Sequence, residues 1–158
     1  MNIEIAYIKC NDNPKICEII RQRLNGQLDI QIEYDNELPS SYSEYLEGDM
    51  KRKVLVSPKN NGWITIVESK EYNDYDMLIY LSKELETEII AIAQFDSVGA
   101  GGYTVFNQGK VMESYFSEED EDIEECVAEK LERKAIQLPI PLFCECVRDK
   151  SWVSITKS

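Results

Sequence analysis

Histidine is missing from this 158-residue sequence. General acid–base catalysis draws on histidine most often, so its absence removes Ser-His-Asp and Cys-His catalysis and histidine-ligated metal chemistry together. Glycine and proline are scarce, at 7 and 5 residues, which argues against a low-complexity or collagenous chain. No apolar run approaches the ~18 residues that cross a bilayer. Met1-Asn2-Ile3-Glu4 is unlike a cationic signal peptide, so the expectation is a cytoplasmic chain forming one globular domain over residues 1–158. Positive charge is also in short supply. With 30 acidic against 17 basic residues the net charge is -13, a repulsive field toward nucleic acids and anionic membranes and an attractive one toward a basic partner. The only basic cluster, Lys51-Arg52-Lys53, reads as a solvated segment.

The 5 cysteines, Cys10, Cys17, Cys126, Cys144 and Cys146, are odd in number and lack framework spacing, which fits a reducing compartment. Cys144-Glu145-Cys146 is one close pair where a tetrahedral zinc site needs four ligands, so no metal and no cofactor are expected. Small, partly buried thiols are the simpler reading.

What is present is hydrophobic periodicity. Residues 3–9 alternate as a strand, and Asn13-Pro14 then opens a helix with the stripe Ile16, Ile19, Ile20 and Leu24, ended by Asn25-Gly26. Leu28 to Tyr34 alternate again. After an irregular stretch over 35–52, Val54-Leu55-Val56 and Trp63 to Val67 read as a hairpin with a broad loop. Asn73 or Asp74 starts a helix with a face at Tyr75, Leu78, Ile79, Leu81, Ser82 and Leu85. Ile89 to Phe95 is apolar almost without alternation, as in a strand covered on both faces. Tyr103–Phe106 and Lys110–Tyr115 flank Asn107-Gln108-Gly109, a three-residue hairpin turn. Ser117 then caps a helix from Glu118 to about Lys134, acidic at its start and basic at its end as the dipole favours. Two prolines make residues 138–143 an edge or connector, and Trp152 to Thr156 closes the chain as a strand. Trp63–Ser69 and Trp152–Ser158 echo one another, as two strands in similar environments would. Both tryptophans are candidates for core packing or an interface. The expected fold is α+β: a mostly antiparallel sheet of about seven strands, with three main helices packed chiefly on one face.

Three functional classes are compatible with these features. The first is an acidic protein-binding module whose surface combines Glu118, Glu119, Asp120, Glu121, Asp122, Glu124 and Glu125 with the aromatics Tyr72 and Tyr115. Its carboxylates would steer a basic protein partner and its aromatics would anchor it. The second is a small-molecule-binding or enzymatic domain using the loop Asp96, Ser97, Gly99, Gly101 and Gly102, whose glycines bring backbone N–H groups near an anion. That loop lacks the lysine and hydroxyl of a phosphate-binding fingerprint, and a hairpin rather than a helix follows it. The third is a structural subunit with a paired sheet edge. Paired acids such as Asp74 and Asp76, or Glu84, Glu86 and Glu88, occupy exposed helix and cap positions rather than a defined dyad.

Between Gly62 and Tyr115 the order is a Gly-Trp strand, a helix carrying Leu81-Ser82 with Leu85 and Thr87, an apolar strand ending in Asp96-Ser97, and a hairpin with Asn107 and Gly109-Lys110. This order resembles small acidic bacterial immunity-type proteins of polymorphic toxin systems. The resemblance implies a non-enzymatic inhibitor that occupies a toxin's active surface, and many such toxins are basic nucleases.

Overall fold

The computed structural model describes residues 2–24, 30–34, 52–57, 59, 61–68, 74–95, 100–118, 129, 132–134 and 153–157. Eight strands form one sheet: β1 Asn2–Lys9, β2 Ile30–Tyr34, β3 Arg52–Val56, β4 Trp63–Glu68, β5 Glu88–Phe95, β6 Ala100–Asn107, β7 Lys110–Ser117 and β8 Val153–Lys157. Their order is β2-β8-β3-β4-β1-β5-β6-β7, with every neighbouring pair antiparallel. The five-strand block β4-β1-β5-β6-β7 holds most of the described core, and β3, β8 and β2 extend it past β4. Two helices, α1 Asn13–Leu24 and α2 Tyr75–Glu84, complete the described elements.

The α+β class holds, but among the described residues the expected seven strands and three helices are corrected to eight strands and two bounded helices. Residues 54–56 are the apolar part of a full strand, because Arg52 and Lys53 also pair, opposite Lys157 and Thr156 of β8. Backbone bonding extends a strand through charged residues that periodicity discounts. The expected Glu118–Lys134 helix does not begin at Glu118: Ser117 is committed to the ladder opposite Gly101, and Glu118 lies in a bend. Of its remainder, Glu129, Glu132, Arg133 and Lys134 are among the described residues; the first three are helical and Lys134 lies in a turn, as expected for the end of that helix. The expectations for residues 35–50, 138–143 and Trp152 also lie outside them.

Both helices cover one face of the sheet. Ile16, Cys17, Ile19 and Ile20 of α1 and Met77, Leu78 and Leu81 of α2 share a core with Ala6, Ile8, Val54, Val56, Ile64, Ile66, Ile89, Ala91 and Phe106. Alternation puts Ile5 and Tyr7, Trp63 and Val67, Ile90 and Ile92, and Val105 on the opposite face, and these too are buried. There the Trp63 indole N–H donates to the Lys134 carbonyl at 3.0 Å, and the Lys134 ammonium lies 3.0 Å from a carboxylate oxygen of Glu88. Trp63 is therefore a packing tryptophan. β3 lies between β4 and β8, so the strand portions of the two echoing segments are its two neighbours.

Local chemistry sets the element ends. Asp12, rather than Asn13, caps α1: its carboxylate accepts the Lys15 N–H at 3.1 Å. Asn13 is used elsewhere, its amide donating to the Ser57 carbonyl at 2.6 Å and so tying α1 to the end of β3. Asp74 caps α2 by accepting the Met77 N–H at 3.1 Å. Met77 is buried and Tyr75 exposed, shifting the α2 core face from the expected one; Tyr75 instead meets Phe106 edge-on at 5.6 Å. The β6–β7 turn is a two-residue loop rather than a three-residue one, because Asn107 and Lys110 pair. Gln108 and Gly109 both have positive φ, at 48° and 80°, the signature of the primed turn that suits strand twist. The Gly109 N–H donates to the Ser82 hydroxyl at 2.9 Å, pinning the hairpin tip to α2.

Gly102 sits where the backbone of β7 leaves no room for a side chain on β6. A Cβ there would collide with the Tyr115 carbonyl oxygen and come within 2.8 Å of Phe116 Cα, both backbone atoms. Gly102→Ala is expected to destabilise the fold by about 1–3 kcal/mol, the range for an overpacked site, read as a lower denaturant midpoint with an unchanged slope.

Candidate functional site

The described residues with functional potential converge on the β6–β7 end of the sheet. β7 is the terminal strand in the sheet order, and its side chains are largely exposed from end to end. Three are large and apolar: Val111, Met112 and Phe116 are 55%, 63% and 57% exposed. Isolated exposed apolar residues are ordinary, but three on one terminal strand form a surface of a different kind. A bulge between Val105 and Phe106 changes the register, since Val105 faces Glu113 while Phe106 faces Val111; Met112 is the extra residue. Beyond it, Glu113 to Ser117 pair regularly with β6.

Cross-strand partners share a face, so Glu113, Tyr115 and Ser117 lie on one side of β7, opposite Val105, Tyr103 and Gly101. Tyr103 and Tyr115 stack at 5.8 Å between ring centroids, and the Tyr103 hydroxyl donates to Glu113 at 2.6 Å. On the other side Phe116 faces Gly102, and the Thr104 and Ser114 hydroxyls are 3.3 Å apart. Chain direction then carries β7 into Glu118, which is exposed, and onward in sequence into the acidic run.

Among the residues expected at the partner surface, Glu118 and Tyr115 are thus brought to one strand end. Tyr115 is half-buried by its stacking on Tyr103, and Phe116 is the aromatic side chain there that faces solvent. Glu119, Asp120, Glu121, Asp122, Glu124, Glu125 and Tyr72 lie outside the described residues. Of the alternative ligand loop, Gly101 and Gly102 are strand residues of β6, buried and paired with β7 and β5, which corrects their placement in a flexible loop. Their backbone groups belong to ladders on both sides, so they are not free to cradle an anion. Asp96, Ser97 and Gly99 lie outside the described residues.

Val111, Met112 and Phe116 were missed because nothing local marks an edge strand. Two adjacent apolar residues at Val111-Met112 break strict alternation, and this was the available hint of a bulge. Among the described residues no group of three or more carboxylate or thiol side chains is arranged to hold a metal ion. No described helix is long and apolar enough to cross a membrane.

The two described cysteines, Cys10 and Cys17, are free thiols. Burial pushes Cys17 up to about 11 from 9.0, which suits a packing thiol beneath α1 and not a nucleophile. On the exposed side of α1, Arg21 hydrogen-bonds Glu18 at 2.7 Å and holds its carboxyl below the ordinary value. Comparison with protein-family models, curated proteins and solved structures finds no match for this chain.

The thiol supplies a test with a defined sign. Cys17 stays protonated in the native protein while the unfolded chain ionises near 9.0, so its contribution to stability is full below pH 9 and falls as pH rises toward about 11. Alkaline destabilisation over this window is expected to be smaller in Cys17→Ala, as measured by urea unfolding at each pH. In the native protein at pH 8, Cys17 is expected to resist a thiol reagent that labels it on unfolding.

Proposed function

We propose that this chain is a non-enzymatic, acidic protein-binding module, an immunity-type inhibitor of a basic toxin domain. The single observation that carries the reading is the exposed terminal strand β7, with Val111, Met112 and Phe116 in water immediately ahead of Glu118 and the acidic run. Affinity in protein interfaces comes from apolar and aromatic groups that are desolvated on binding, while charge governs encounter rate and choice of partner. Here the two kinds of group are adjacent in one stretch of chain. The net charge of -13 favours a cationic partner, and the resemblance over residues 62–115 points to the same class. The ligand-loop alternative loses support, because two of its glycines are consumed by sheet pairing.

Capture from extracts of the source organism and its neighbours, washed at low and at high salt, is expected to retain a basic protein that high salt releases. With that protein purified, replacing Glu118, Glu119, Asp120 and Glu121 by Lys is expected to slow association about tenfold or more at low salt and flatten its salt dependence. Val111→Ser with Phe116→Ser is expected to act on the dissociation rate, raising it about fivefold or more. Unchanged association rates in the first variant would remove the acidic run from the interface. Failure of both variants to change either rate would remove this end of the sheet.

A further inference from the structure

We propose that Asn61 is a site of spontaneous covalent modification, losing its side-chain amide to attack by the Gly62 backbone nitrogen and passing through a cyclic imide to isoaspartate and aspartate. The site lies in the loop between β3 and β4, and β1 and β5 separate these strands from the β6–β7 end of the sheet.

Attack of this kind needs a backbone N–H on the residue that follows asparagine, little bulk beside that nitrogen, and a backbone able to bring it onto the side-chain carbonyl carbon. The described asparagines differ in each respect. Asn13 precedes Pro14, which has no N–H, and its amide donates to the Ser57 carbonyl at 2.6 Å. Asn11 precedes Asp12, whose N–H donates to the Cys10 sulfur at 3.4 Å. Asn2 precedes the β-branched Ile3 and pairs with Phe95, while Asn107 precedes the long Gln108 and pairs with Glu88 and Lys110, so both are held in sheet ladders. Asn61 precedes Gly62 and is exposed to water.

The turn supplies the rest. Asn61 and Gly62 have φ of 51° and 82°, left-handed conformations that asparagine tolerates and glycine adopts without steric cost. Gly62 is held through its carbonyl, which accepts the Cys10 N–H at 3.0 Å; among the described residues its own N–H has no acceptor. Space around it is open, since a Cβ built there would have Asn11 Oδ1, at 3.9 Å, as its near neighbour outside the turn.

In the first step the Gly62 nitrogen bonds to Asn61 Cγ and gives up its proton as the Cγ–NH2 bond breaks, so ammonia leaves and a five-membered imide remains. Water then opens the imide. Addition at Cγ yields aspartate, whereas addition at the original backbone carbonyl leaves Gly62 joined through Cγ, an isoaspartate with a free α-carboxylate. No electrons are transferred, and either product adds one negative charge to a chain of net charge -13. Aspartate keeps the backbone and accepts the left-handed turn. Isoaspartate lengthens the backbone by one carbon, next to the bond that ties Gly62 to Cys10 just past β1.

The test is incubation of the folded full chain in mildly alkaline buffer, followed by peptide mapping with fragmentation that separates isoaspartate from aspartate, and by enzymatic methylation of isoaspartyl carboxylates. Asn61 is expected to convert to both products, with isoaspartate in excess, while Asn2, Asn11, Asn13 and Asn107 keep their amides. Asn61→Gln, whose longer side chain would have to close a six-membered ring, is expected to lose the conversion at this position with unchanged circular dichroism. Asn61→Asp is expected to hold the thermal midpoint within about 2 °C, and the isoaspartyl fraction, isolated by ion exchange, to melt about 2–4 °C lower or more. An isoaspartyl fraction that melts with the parent would overturn the role of this turn in holding Gly62 to Cys10. An intact Asn61 amide in the folded chain, beside conversion of the same residue in urea, would show that the native turn shields it and would overturn the proposal. So would an intact amide in both states, or conversion that begins at another of the described asparagines.

Discussion

Everything in this fold follows from the need to keep both faces of β1 and β5 out of water. Their interior residues are apolar on each side: Ala6 and Ile8 against Ile5 and Tyr7 in β1, Ile89 and Ala91 against Ile90 and Ile92 in β5. Two such strands cannot sit at the margin of a sheet or leave one face wet. They occupy its interior, with β4 and β6 as outer neighbours, and they require a layer on each side. The amphipathic helices α1 and α2 provide one layer. On the other, the Trp63 bond to Lys134 and the Lys134–Glu88 pair fix where the chain crosses. Once the interior is assigned to β1 and β5, the margins of the sheet are β2 and β7, and the described side chains of β7 are largely exposed.

This dependence explains which features were legible in the sequence. β5 declared itself because an unbroken apolar run is a local property, and α2 because a 3.6-residue stripe is one too. Helix ends were legible to within a residue: Asn13 and Asp12 are both competent caps, and the choice between them was made at a distance, by the Ser57 carbonyl that Asn13 reaches. The terminal strand β7 was another matter. Lys110 to Tyr115 was recognisable as a strand, yet whether Val111 or Phe116 meets core or solvent depends on which strand lies on the far side, information that no window of β7 contains. The placement of Gly101 and Gly102 failed for a related reason. Glycines after an apolar strand ordinarily signal a loop, whereas Gly102 is required because the backbone of β7 passes too close for any side chain. Glu118, the first of the acids, read as a helix start because the ladder bond that holds Ser117 extended is non-local.

An exposed sheet margin carrying Val111, Met112 and Phe116 is an aggregation hazard unless something discourages like from pairing with like. Proteins commonly use charge, bulges and proline for this purpose. β7 contains no proline, and its one bulge disrupts only the start of the strand, leaving Glu113 to Ser117 regular. The remaining protection is electrostatic, supplied by Glu113 within the strand, Glu118 beyond it, and the net charge of -13 on the whole molecule. Over a Debye length of ~8 Å at physiological salt, two copies approaching edge to edge repel, while a cationic chain is drawn in. In the proposed binding module, the charge that guards the edge would also be the charge that selects a partner. Such a device works only if acids lie beside the apolar strand rather than elsewhere on the surface, and among the described residues Glu113 and Glu118 do so, within and just after the strand that carries Val111, Met112 and Phe116.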